Sequence, residues 1–132
     1  MARDFYHENF REALYKNDRI MDKIKQYQNI IIEYLKEYAK IKPANQPDID
    51  SYVIADRENN HFQLLQLGWQ GNQYVFAVVF HFDIKDGKVW FQRNITERDV
   101  VDVLMEKGIP KEDIVLGFRP PYARPYSGFA SA

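Results

Sequence analysis

The chain has 132 residues, 45% of them apolar and 28% charged, with a net charge of −1, no cysteine, and nine Phe, nine Tyr and two Trp. This length suits one domain with its own core and is too short for two. The lack of cysteine excludes a disulfide framework, a thiolate nucleophile and a Cys-based zinc site, and the near-neutral charge argues against strong non-specific nucleic-acid binding. No apolar run approaches a membrane span, and MARDFYHENF lacks the apolar stretch of a signal peptide, so a cytoplasmic protein without membrane contact is expected.

Asp4–Asn17 reads as a short amphipathic helix with Tyr6, Phe10, Ala13 and Leu14 on one face. A longer helix follows, in which Ile20, Ile24, Tyr27, Ile31, Tyr34, Tyr38 and Ile41 alternate four and three apart. Ile30 and Leu35 widen the stripe, and Pro43 and Pro47 end the helix. Such a stripe fits a helix laid across a sheet. Self-association through a coiled coil is the alternative, opposed by tyrosines that pack poorly in a tight seam.

Strands come next. Asp50–Ala55 is a weak one, and His61–Trp69 is apolar and bounded by Gly68 and Gly71. Tyr74–Ile84 is the clearest, because Tyr74, Phe76, Val78, Phe80, Phe82 and Ile84 recur at period two and are expected on one face. Asp86-Gly87 suits a two-residue type I′ turn, which pairs Ile84 with Val89 and Phe82 with Phe91. The opposite face then carries Asp83 beside Trp90 and His81 beside Gln92.

Thr96 is the expected N-cap of a second helix, with Asp99 in its first turn and Val100, Val101, Leu104 and Met105 on its apolar face. Gly108 suits the C′ position, followed by Ile109 and Pro110. Ile114–Phe118 is a candidate short strand. Arg119–Ala132 has no periodicity, and its prolines suggest extended backbone.

Two longer runs, HFDIKDGKVWFQRNITE (81–97) and GIPKEDIVLGFRPPYARPYSGFA (108–130), together with HFQLLQLGW (61–69) and MDKIKQYQNII (21–31), resemble the XisI family of cyanobacterial fdxN element excision controlling factors. The resemblance starts at Met21, which divides the chain into an extension, 1–20, and a single domain, 21–132. Within the extension, ARDFYHENFREALYKND (2–18) is similar to the opening of XisH, the companion protein. The resemblance implies a non-enzymatic accessory factor in DNA rearrangement. It would act with a XisH-like partner in controlling site-specific excision by a recombinase, itself a further candidate partner.

The residues themselves carry little visible chemistry. His7, His61 and His81 lack the spacing of a helical metal pair. His81 and Asp83 share a strand face, but such pairs are usually a polar surface. Asp83, Asp86, Glu97, Asp99, Asp102, Glu112 and Asp113 mostly have local roles in turns and helix ends, and no carboxylate–lysine constellation of a metal nuclease stands out. Arg119, Tyr122, Arg124 and Tyr126 lie in a tail without acidic residues, and arginine with aromatics favours protein or nucleic-acid contact. The alternative is a tail that wraps the domain and covers a sheet edge.

The expected fold is α+β: a long N-terminal helix on a three- to four-stranded antiparallel meander, then a short helix and a C-terminal extended segment. The candidate partner-binding residues are His81, Asp83, Trp90, Gln92, Arg119, Tyr122, Arg124 and Tyr126. No catalytic residue, metal or cofactor is expected. Two other functions fit the residues less well. One is an antitoxin-like partner of a nuclease-related protein unrelated to fdxN, and the other an enzyme using His81, Asp83 and Trp90.

Overall fold

The computed structural model describes the backbone of residues 2–42 and 46–132, and the side chains of these residues apart from 2–10 and 13–15. Helix α1 (Ala2–Ala39) is continuous, so the two helices expected from the sequence are one. No proline or glycine separates them, and nothing local stops propagation. The face proposed for Tyr6, Phe10, Ala13 and Leu14 lies outside the described side chains, as does Pro43. No helix among the described residues is long and apolar enough to cross a membrane.

Strands β1 (Ile49–Asp56), β2 (His61–Gln70), β3 (Gln73–Lys85), β4 (Lys88–Asn94) and β5 (Ile114–Leu116) form one sheet in chain order. The first four are the expected antiparallel meander, and β5 adds a fifth strand parallel to β4. A parallel neighbour needs a crossover, which the segment holding α2 (Val100–Glu106) supplies. The tail does not run extended. It makes turns, including a 3₁₀ turn at Arg124–Tyr126, and then pairs Ala130 with Val115, so the free edge of β5 is partly covered.

The helix stripe is the inner face of α1. Tyr27, Ile30, Ile31, Ile32, Tyr34 and Leu35 are buried against Phe62, Leu64, Phe80, Phe82 and Phe91 of the sheet. Phe82 and Phe91 stack across β3 and β4 with centroids 4.5 Å apart, and Tyr38 meets Phe80 edge-on at 4.9 Å. Each fully buried ring contributes roughly 1.5–3 kcal/mol relative to exposure, so the aromatic cluster dominates the core. Ile20 and Ile41, at the ends of the stripe, are exposed.

The 86–87 turn has φ of 52° at Asp86 and 75° at Gly87, as a type I′ turn requires, and the pairs Ile84–Val89 and Phe82–Phe91 form as expected. The C-terminus of α2 closes with Gly108 N–H donating to Met105 O and Ile109 N–H to Leu104 O, the Schellman pattern. Its N-terminus differs from expectation. Asp99 is the N-cap, three residues after Thr96. The Thr96 hydroxyl instead donates to Asn94 Oδ1 at 2.7 Å and accepts from Arg98 N–H at 3.2 Å, a local turn that competes with capping.

The strict alternation of β3 does not place its apolar residues on one face. Leu65 pairs with Val78 but Leu64 pairs with Phe80, so Val79 is an extra residue, a β-bulge. An inserted residue advances the pleat by one. Phe80, Phe82 and Ile84 therefore enter the core, whereas Tyr74 and Phe76 emerge on the opposite, helix-free face, with Phe76 65% exposed.

Candidate functional site

The helix-free face of the sheet has an apolar half and a polar half. Along the β2–β3 hairpin, the bulge sends Tyr74, Phe76 and Val78 outward beside their partners Trp69, Leu67 and Leu65. On β1, Tyr52 and Ile54 extend the same surface. Trp69 and Tyr74 face each other across the strands at 5.2 Å, and Trp69 is 59% exposed. A surface that presents this many large apolar side chains together, with the exposed Asp50 of β1 opposite Leu67 as its charged neighbour, has the composition of an interface core.

The polar half begins where the bulge ends. On β2, His61 lies directly opposite Asp83 of β3, and Gln63 opposite His81. Asp83 Oδ1 accepts from His61 Nδ1 at 2.6 Å and from His81 Nε2 at 2.8 Å. The other nitrogen of His81, Nδ1, faces Gln63 Oε1 at 3.1 Å, and Asp83 Oδ2 accepts from Gln92 Nε2 at 3.3 Å. Partial burial is the largest single influence on the Asp83 carboxyl and pushes its pKa up. The hydrogen bonds from both imidazoles and their charges together outweigh it and hold the carboxyl below its ordinary range.

His81 does not pair with Gln92 as expected. A second bulge, between Phe82–Phe91 and His81–Arg93, leaves Gln92 as the extra residue and places Arg93 opposite His81. Freed from the ladder register, the Gln92 amide turns to Asp83. Gly117 makes room for it, because a Cβ there would lie 2.2 Å from Gln92 Oε1. A shallow groove of about 510 Å³ joins the two halves, lined by Phe76, Ala77, Val78, Gln63, His81, Gln92 and Arg93.

The candidates named from sequence thus separate into two groups. His81, Asp83 and Gln92 converge, and Trp90 pairs with Val115 on β5 and with Asp83 on β3. Arg124 joins Trp90, its guanidinium carbon 5.1 Å from the ring centroid. Arg119, Tyr122 and Tyr126 are exposed tail residues, with Tyr122 79% and Tyr126 89% exposed. Sequence reasoning missed His61 and Gln63, and the apolar half altogether. The turn that pairs Gln70 with Gln73 would, without a bulge, set His61 opposite Phe82. The residue that corrects this, Val79, is one valine in an apolar run and carries no local signal.

These residues lie on a chain with clear relatives. The family described as XisI protein matches residues 21–131. Among solved structures, a XisI-like protein from Anabaena variabilis is 40% identical, with a TM-score of 0.76 over 83% of this chain and 99% of that one. The fdxN element excision controlling factor XisI from the same species is 30% identical, with a TM-score of 0.71 over the same shares of the two chains. A search of curated proteins gives no match. The chain belongs to the XisI family.

Proposed function

We propose that this protein is a controlling factor in the excision of a DNA element, and that it exerts control through protein contact at the apolar half of its open sheet face. The role in excision is supported by the family and by the relative that carries this description. The observation that supports contact as the means is the outward turn of Trp69, Tyr74 and Phe76, which costs the isolated domain apolar exposure without serving its core. The occupant is a XisH-like protein. Its side of the contact would be largely apolar, because this half of the face offers mainly aromatic rings and aliphatic side chains, with Asp50 on the edge strand β1 as the charged neighbour.

Calorimetric titration of the full chain with a XisH-like protein tests this, using wild type and a Trp69→Ser/Phe76→Ser variant. Central anchors commonly contribute about 2 kcal/mol or more each, so affinity should fall by roughly 30-fold for each residue replaced. An excision reporter in cells should lose its dependence on this protein in parallel. Undiminished affinity in the variant would overturn the assignment of the face. A variant that only changes this chain from dimer to monomer would make the occupant a second copy instead.

A further inference from the structure

We propose that His61, His81 and Asp83 form a binding site for a divalent transition-metal ion of the zinc class. One ligand atom from each of the three residues lies within 4.8 Å of the others, and Asp83 Oδ1 is 2.6 Å from His61 Nδ1 and 2.8 Å from His81 Nε2. Two imidazole nitrogens with one carboxylate oxygen are a common zinc ligand set, whereas calcium and magnesium prefer oxygen alone. The donors come from adjacent strands in direct register, so backbone pairing holds them together, and no loop has to order.

The surrounding hydrogen bonds point the same way. A metal-bound histidine gives its other ring N–H to an acceptor, and a ligating carboxylate is itself hydrogen-bonded. Here Gln63 Oε1 stands 3.1 Å from His81 Nδ1, in the place of such an acceptor, while Nε2 faces Asp83 Oδ1. Gln92 Nε2 holds the second oxygen of Asp83, leaving the first to the cluster.

The change needed is small. Ligand atoms of a tetrahedral zinc site are roughly 3.3 Å apart, given bonds of about 2.0–2.1 Å. The present contacts of 2.6 and 2.8 Å must therefore open by roughly 0.5–0.7 Å. His61 has 57% of its side chain exposed, which gives an ion a route in and leaves its remaining coordination to water.

Untagged full-length protein, stripped with a chelator, should be titrated with zinc chloride in a calorimeter and with cobalt(II) under visible absorption. The expected result is one equivalent bound and an intense low-symmetry cobalt spectrum. Gln63→Leu, which removes only the acceptor for His81 Nδ1, should weaken binding by about 10–100-fold, and His61→Ala/His81→Ala should abolish it. Circular dichroism checks that each variant is folded. A six-coordinate aqueous cobalt spectrum with wild-type protein overturns the proposal whatever the variants do, and so does unchanged affinity in the double histidine variant.

Discussion

Arg124 stacks on Trp90 and ties the tail to β4. Its guanidinium carbon is 5.1 Å from the indole centroid, its Nε donates to Arg119 O at 3.1 Å, and Nη2 donates to Gly117 O at 3.3 Å. The Lys85 ammonium lies over the same ring at 5.1 Å. The sequence suggested a common binding role for Arg119 and Arg124, because both lie among aromatics in a tail without acidic residues. The structure separates them, since Arg119 makes no such side-chain contact among the described residues.

Replacing Arg124 with alanine should therefore destabilise the fold by about 1–3 kcal/mol, combining a stacked cation with hydrogen bonds to carbonyls. Arg124→Lys should recover only part of this, because an ammonium cannot form the planar fork. Arg119→Ala should stay within about 0.5 kcal/mol of wild type. Urea unfolding followed by tryptophan fluorescence measures all three. Equal effects at both positions would contradict the distinction.

Phe76 and Phe82 occupy equivalent places in the period-two pattern of β3 but lie on opposite sides of the Val79 bulge. Phe82 is fully buried and stacked on Phe91, so Phe82→Ala should cost about 3–5 kcal/mol. Phe76→Ala should change stability by no more than about 0.5 kcal/mol. Thermal melts of the two variants would show it, and similar losses would mean that the bulge is absent in solution.

Gly68 and Gly71 are both at positive φ, 146° and 60°, but only one is crowded. A Cβ on Gly68 would sit 2.3 Å from the backbone oxygen of Asp48, while Gly71 has nothing within 4 Å. Gly71→Ala should cost about 1 kcal/mol for the left-handed backbone alone. Gly68→Ala must also displace the entry to β1, and its loss should exceed that by at least roughly 1–2 kcal/mol. A Gly68→Ala melt as mild as that of Gly71→Ala would count against the close β1–β2 approach.

Acid should weaken the junction between α1 and β5. Tyr27 O–H donates to Asp113 Oδ2 at 2.5 Å, and Lys23 Nζ pairs with the same oxygen at 2.8 Å. Burial is the largest influence on Asp113 and raises its pKa, but hydrogen bonds from Lys23 and Tyr27, with the charges of Lys23 and Lys88, leave it lowered. A carboxyl depressed in the folded state stabilises when ionised. Its contribution is complete above the ordinary carboxylate pKa and is lost as pH falls through the folded value. Asp113→Asn should thus be less stable than wild type near neutrality, and the gap should close in strongly acidic buffer. A gap independent of pH would leave the ion pair without a role.

Elements whose signals are local were legible in the residues alone. The stripe from Ile24 to Tyr38 marked the inner face of α1, Asp86-Gly87 set the type I′ turn and with it the Phe82–Phe91 pair, and Gly108 closed α2. Each depends on periodicity or on a φ that few residues adopt. The remainder depends on how the strands pair. Val79 and Gln92 became bulges through the pairing of their strands, and no residue type announces a bulge. One inserted valine turned Phe76 outward and brought Asp83 opposite His61, so both halves of the candidate site exist only through strand register. Register is a relation between strands distant in sequence, and a slip of one residue exchanges the two faces.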